Sequence, residues 1–316
     1  MNVLITGSSG YIGGRLALHL MENKNLTIFL GSRTKNNKIK LLKNLNYVQI
    51  NWEKEKKLIE ACSDKHSIVH TAGLNAKDSE YSFVDAYKVN VLNTANLLNI
   101  AIQQKVKRFI YISTAHVYGS KLNGKINEDS VANSIQSYAA SHKAAEDMVI
   151  NAHLAGKIQG IVIRLSNSFG APISADANCW SLLVNDLCCQ GVTNKKLIIN
   201  SSGIQKRDFI SMNNTVKAIE HLLGIPNNSI GNGIFNVGSG FSSTIIEMAE
   251  YVAEIFHSHF NYKTDIIKKS IQDANPVKEK LFISDISKLR GTGFINDENA
   301  RSEIINLIQF VKKNFS

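Results

Sequence analysis

Three glycines near the start of the chain are the first residues whose spacing implies chemistry. The apolar run 3–6 leads straight into Gly7-Ser8-Ser9-Gly10-Tyr11-Ile12-Gly13-Gly14, and a second apolar stretch follows. This is G-x-x-G-x-x-G between a strand and a helix, the context that gives a glycine pattern its meaning. A glycine at 7 permits the tight turn, one at 10 lets backbone approach a pyrophosphate, and one at 13 lets helix and strand pack closely. The phosphates would meet free N–H groups at the positive end of the helix dipole. Gly7, Ser9, Gly10, Tyr11, Ile12 and Gly13 are therefore the expected dinucleotide contacts. The end of the second strand reads the ribose, where a carboxylate would grip the 2′-hydroxyl of NAD. Leu30-Gly31-Ser32-Arg33 offers no carboxylate but a guanidinium fork suited to a 2′-phosphate, with Ser32 and Lys35 or Lys38 able to assist. The expected cofactor is NADP, with NAD as the alternative.

A loop of this kind needs a parallel sheet behind it. The first half of the chain alternates short apolar runs with helical patterns, which is the signature of such a sheet. Strands are expected at 3–6, 26–30, 47–50, 67–71, 108–113 and 161–165, and helices at 12–22, 55–61, 84–104 and 138–154. After Leu165 the alternation breaks. Gly170-Ala171-Pro172 marks a loop, and an irregular stretch is expected up to Arg207-Asp208-Phe209-Ile210. A strand at 234–237, a helix at 243–257 and a last helix at 303–313 complete the pattern. Pro172, Pro226 and Pro276 all fall late and outside these elements. The expected fold is α/β: a Rossmann-type doubly wound parallel sheet with a smaller interleaved C-terminal substrate-binding region. Residues 1–165 would form the dinucleotide-binding part, with 207–237 returning to it, and 166–206 and 238–316 the substrate-binding part.

Composition narrows the class. With 316 residues, 44% hydrophobic and 20% charged, the chain reads as globular and long enough to bury a full core. No apolar run approaches the ~20 residues that span a bilayer. The opening Met1-Asn2-Val3-Leu4-Ile5-Thr6 reads as a strand, not as a basic leader with an apolar core, so the expected location is cytoplasmic. Cys62, Cys179, Cys188 and Cys189 form no C-x-x-C pair and have no histidine cluster at zinc spacing. Cys188 and Cys189 lie in an apolar stretch that reads as helical and are expected in the core, and no metal is expected. The net charge of +10 is scattered through short mixed runs, without the basic helix or aromatic stripe of a nucleic-acid binder. The excess charge favours an anionic small substrate.

Further motifs follow in order. They are Ile68-Val69-His70-Thr71-Ala72-Gly73, Val89-Asn90-Val91, the run Arg108-Phe109-Ile110-Tyr111-Ile112-Ser113-Thr114-Ala115-His116-Val117-Tyr118-Gly119, Arg164-Leu165-Ser166-Asn167, Arg207-Asp208-Phe209 and Phe235-Asn236-Val237-Gly238. With the glycine loop they resemble, over nearly the whole length, the extended short-chain dehydrogenase/reductases of the NAD-dependent epimerase/dehydratase group. That resemblance implies a cofactor beside Thr71, Ala72, Gly73 and Asn90. It also implies a catalytic Tyr at Tyr138, assisted by a hydroxyl at Thr114 with Ser113 as neighbour. In the family a Lys four residues after the Tyr lowers its pKa and holds the ribose. Here Tyr138-Ala139-Ala140-Ser141-His142-Lys143 puts His142 at that place. Positions i and i+4 share a helix face, so His142 can sit beside Tyr138, whereas Lys143 points away. His142 is expected to take over ribose binding and, when protonated, to tune Tyr138.

Dehydratases of this group usually carry an Asp-Glu pair directly after the catalytic Thr. Ala115 and His116 stand there, which sets dehydration aside and leaves His116 as a candidate substrate contact. Asn167 and Arg207 match positions that contact the substrate's nucleotide diphosphate in relatives. The resemblance thus implies an oxidoreductase acting on a nucleotide-diphosphate sugar. Arg33 favours NADPH-dependent reduction of a 4-keto sugar, toward a deoxysugar for surface polysaccharide. A nucleotide-sugar 4-epimerase is the alternative, and a non-catalytic NADP-binding sensor or scaffold the alternative of another class. Relatives also dimerise through two long helices, which implies a homodimer built on 84–104 and 138–154.

Overall fold

The computed structural model describes residues 1–34, 45–119, 124–269, 282–297 and 300–315. Lys35, Lys38 and Pro276 lie outside the described residues. The first part runs β1 (Asn2–Thr6), α1 (Tyr11–Leu20), β2 (Thr27–Ser32), β3 (Asn46–Gln49), α2 (Glu55–Cys62) and β4 (Ser67–His70). Then come α3 (Ala76–Tyr81), α4 (Phe83–Tyr87), a π-helical turn (Lys88–Leu92), α5 (Asn93–Gln103) and β5 (Arg108–Thr114). β6 (Gly124–Ile126), α6 (Ser137–Leu154), β7 (Gln159–Leu165), β8 (Asn167–Phe169), α7 (Leu183–Asn194) and β9 (Lys196–Ile199) follow. Next are β10 (Lys206–Ser211), α8 (Met212–Gly224), β11 (Ile234–Val237), β12 (Ser242–Thr244) and α9 (Ile245–Phe260). β13 (Asp265–Lys268), β14 (Phe282–Ser284), α10 (Ser287–Gly291) and α11 (Ala300–Phe315) complete the described chain.

Seven strands form a parallel sheet in the order β11-β7-β5-β4-β1-β2-β3. Strand periodicity of two splits its side chains between two cores. Val3, Ile5, Ile110 and Ile112 face one way and pack with Leu16, Leu20, Val216 and Ile219 of α1 and α8. Leu4, Phe109 and Tyr111 face the other way, against Leu97, Ala145 and Val149 of α5 and α6. Each fully buried large aliphatic side chain contributes roughly 1.5–3 kcal/mol, so helices on both faces are what this sequence requires. The strand order reverses between β1 and β4, and a crevice outside the carboxyl ends of the strands is where such a sheet binds ligands.

A smaller layer follows. β8, β10 and β12 form one sheet and β9 pairs with β13, while α7, α9 and α11 bury Leu187, Cys188, Phe256, Leu307 and Ile308 together. Gly191 lets α7 approach α9, since a Cβ there would lie 2.2 Å from the Phe256 ring. At the start of α11, Glu303 is 3% exposed and ion-pairs with Arg15 of α1 at 2.7 Å, which ties the last helix to the first.

Three sequence expectations need correction. The stretch before Arg207, expected to be irregular, contains α7 and β9; Val184, Leu187, Cys188 and Gly191 carry the helical spacing that marks it. Arg207 itself lies in the small sheet on β10, so the chain returns to the large sheet through α8 and β11. The expected helix 84–104 is divided into α4, a π-helical turn and α5.

Candidate active site

The glycine loop is shaped by absent side chains. Gly7 has φ +70°, the left-handed region that glycine enters freely, and its carbonyl accepts the Gly10 N–H at 2.9 Å. A Cβ on Gly13 would lie 2.4 Å from the Gly7 oxygen and 2.6 Å from Thr71 Oγ1. Gly10 caps α1 without a side-chain hydrogen bond, the first turn carries no acidic residue, and Ser9 is exposed. Free N–H groups and a favourable dipole at this turn fit the diphosphate of a dinucleotide. The Tyr11 hydroxyl donates to the Gly170 carbonyl at 3.0 Å. At the end of β2, Arg33 is exposed, while the Ser32 hydroxyl is engaged with the Thr34 carbonyl at 2.7 Å.

Opposite this loop stands α6. Tyr138 and His142 meet edge-on with ring centroids 4.6 Å apart, as the i, i+4 spacing requires. Thr114, at the carboxyl end of β5, is 5% exposed and accepts the His116 N–H at 3.1 Å. Burial raises the pKa of Tyr138, and the neighbouring Thr114 hydroxyl opposes that rise. The His116 and Tyr138 rings lie 6.1 Å apart, and Arg207 is close enough to depress the His116 pKa after desolvation has done so. Tyr138, Thr114, His142, His116 and Arg207 thus converge from α6, β5, the turn after it and β10.

His142 departs from expectation. It is 6% exposed, and burial first, then His116, pushes its pKa down to about 3. The imidazole is neutral at pH 7 and gives Tyr138 no help from a fixed positive charge. Its Nδ1 lies 2.8 Å from the Tyr111 hydroxyl. Lys143 pairs outward with Asp147.

Several neighbours are held in place by hydrogen bonds of their own. Asn90, carried on the π-helical turn, is 1% exposed; its Oδ1 accepts the Leu74 N–H at 2.7 Å and its Nδ2 donates to Ser141 Oγ at 3.0 Å. It brackets the 71–75 loop against α6. Ala72 and Gly73 lie on that loop, and Thr71 donates to the Thr6 carbonyl at 2.6 Å. Ser113 faces inward and donates to Glu146 at 2.5 Å. Glu146 pairs with Arg164 at 2.8 Å, and Arg164 reaches Tyr118 at 3.0 Å, a satisfied buried network beneath the site. Asn167 donates to the Asp208 carbonyl at 2.9 Å. The Asp208 carboxylate accepts from Ser166, Ser239 and Gly240, so it does not neutralise Arg207. Arg207 bonds Gln205 at 3.1 Å, and among the described residues no carboxylate is ion-paired with it.

Sequence reasoning quoted Tyr111 only as part of a motif. The signal was available: residues 109, 111 and 113 share one face of β5, and 142, 146 and 149 share the stripe of α6 that packs on it. His70 was likewise read only as motif; it is buried, and its ring nitrogens bond Thr6 at 2.6 Å and Thr94 at 2.9 Å.

Residues 3–238 match the NAD dependent epimerase/dehydratase family, and the chain belongs to that family. It is 27% identical over 334 residues to dTDP-D-glucose 4,6-dehydratase of Mus musculus, across 99% of this chain and 89% of the mouse protein. The protein of the same name from Dictyostelium discoideum is 30% identical over 280 residues, covering 80% of this chain and 62% of its own length. Among solved structures, UDP-N-acetylglucosamine 4-epimerase from Methanobrevibacter ruminantium M1 aligns with a TM-score of 0.83 at 21% identity over 99% of both chains. UDP-glucuronic acid 4-epimerase from Bacillus cereus, solved with UDP-glucuronic acid and NAD, gives 0.83 at 20% identity over 100% of both. These likenesses establish the Rossmann-type fold. Among the described residues no helix is long and apolar enough to cross a membrane.

Proposed function

We propose that the protein is a nicotinamide-dependent oxidoreductase that reduces the 4-keto group of a nucleotide-diphosphate sugar, with Tyr138 as proton donor. The observation that carries this reading is the convergence of Tyr138, Thr114 and His142 opposite the glycine loop. Gly7, Ser9, Gly10, Ile12 and Gly13 would hold the dinucleotide diphosphate, Arg33 a 2′-phosphate, and His142 the nicotinamide ribose. Bound there, the nicotinamide supplies hydride. Tyr138 gives its proton to the carbonyl oxygen as the carbon receives hydride, so the ketone becomes a secondary alcohol. Thr114, beside the phenol, would bind the same oxygen and orient it. Arg207, paired with no carboxylate among the described residues, suits the substrate diphosphate, with Asn167 and His116 beside it. Ala115 and His116 after Thr114 supply no carboxylate pair for eliminating water, which separates this reading from the dehydratase names of the relatives.

NADP is preferred because the end of β2 presents Arg33 and no carboxylate. A 4-epimerase that retains NAD is the second reading, favoured by the names of the structural neighbours. The test mixes the protein with NADPH and a nucleotide-linked 4-keto-6-deoxyhexose. Stoichiometric NADPH oxidation with an alcohol product supports reduction. Interconversion of 4-epimers without added cofactor replaces it with epimerisation. Exposed Phe83, Val84, Tyr87 and Leu92 support pairing of two copies through the 83–103 and 137–154 helices; light scattering should show a dimer, and a monomer refutes that part.

A further inference from the structure

We propose that Tyr111 is a positioning residue that locks His142 in its Nε2–H tautomer, so that a neutral imidazole presents one fixed N–H donor to the dinucleotide side of the site. This rests on the reading of His142 as the ribose-holding residue. The Tyr111 hydroxyl lies 2.8 Å from His142 Nδ1. Tyr111 is 2% exposed and packs in the core with Leu97, Ala145 and Val149. Among the described residues that nitrogen is the phenol's hydrogen-bond partner.

The direction of the bond follows from what each arrangement leaves unpaired. If Tyr111 merely accepted a proton from Nδ1, its own O–H would be buried without an acceptor, and native structures rarely leave such a group unsatisfied. Donation from Tyr111 to Nδ1 satisfies both groups and, in a neutral ring, leaves the proton on Nε2. Gly73 shows where that proton points. A Cβ on this exposed glycine would lie 3.8 Å from His142 Cε1 and 4.0 Å from Nε2, so this edge of the imidazole faces the 71–75 loop. Burial of His142, which holds its pKa to about 3, keeps the ring neutral.

The lock has a purpose at this position. A lysine ammonium carries three donors and can turn to meet an acceptor. A neutral imidazole has one donor, and its direction is fixed only if the other nitrogen is fixed. Tyr111 does that from the strand beneath.

The test labels the histidines with nitrogen-15 and records long-range proton–nitrogen correlations of the free protein near neutral pH. The His142 signals are assigned by their loss in His142→Asn. The expected wild-type pattern is an unprotonated Nδ1 and a protonated Nε2. In Tyr111→Phe, which keeps the ring and removes the hydroxyl, the two nitrogens should shift toward a tautomer mixture. NADPH binding should weaken about three- to tenfold, the worth of one oriented hydrogen bond. A protonated Nδ1 in wild type, a cationic ring, or an unchanged pattern in a folded Tyr111→Phe overturns the proposal. If that variant does not fold, the wild-type spectrum decides alone. Because the spectrum is read without substrate, the lock can stand while keto-sugar reduction fails, or fail while reduction stands.

Discussion

Gly13 and His142 sit on opposite sides of the same site, and they constrain the chain differently. On the glycine-loop side, positions are set by backbone. A Cβ at Gly13 would press on the Gly7 carbonyl and Thr71, so the residue type is dictated by a gap of atomic size. On the α6 side, positions are set by what one buried side chain finds in another. His142 meets Tyr111 below it and Tyr138 beside it, and the pocket is filled by rings in contact. The first side tolerates almost no change of residue. The second can accept a change when its neighbours supply a new partner, and Tyr111 is that partner here.

The contrast predicts that the chemistry resides on the α6 side while binding and stability depend on the glycine side. Tyr138→Phe should lower kcat on the right keto sugar by about 10²–10⁴-fold while NADPH binding changes little; steady-state kinetics and a binding titration check both halves, and retained turnover would move the proton donor elsewhere. Gly13→Ala should act the other way, destabilising the fold by about 1–3 kcal/mol and abolishing dinucleotide binding, as measured by denaturant unfolding and fluorescence. Arg33→Ala should narrow the preference for NADPH over NADH by about tenfold or more, since charge-assisted hydrogen bonds are worth about 1.5–3 kcal/mol.

The smallest effect is on the pH dependence of stability. Burial holds both His70 and His142 near a pKa of about 3, against about 6.5 in an unfolded chain. Between those values the unfolded state binds more protons, so stability rises with pH through this window and is lost as pH falls below about 6.5. His142→Asn removes one of these groups. The fall of Tm between about pH 6 and pH 4 should become shallower than in wild type, and an unchanged slope would mean that the native imidazole titrates normally.

The same contrast explains how much of this protein could be read from its sequence. The glycine loop, β1 to β5, β7 and α6 follow from spacing and periodicity because backbone rules act locally. His142 was recognisable as a departure, but its neutrality depends on burial by residues distant in sequence. Tyr111 lies 31 residues before it, and their meeting follows only from the register of α6 on β5. Asn90 matched a motif, yet a π-helical turn aims its amide into the wall. Cys188 and Cys189 marked a helical stretch, but the extent of α7 was not legible because glycine and polar residues dilute its apolar stripe, which is completed by α9 and α11.

The central claim, that the glycine loop and α6 enclose a nicotinamide dinucleotide whose ribose end is read by Arg33, is tested most directly by titrating the purified protein with NADPH and NADH in parallel and following nucleotide fluorescence. The account predicts saturable binding of both, tighter for NADPH. Tighter binding of NADH would contradict the Arg33 assignment and bring the epimerase reading forward, and binding of neither would contradict the account as a whole.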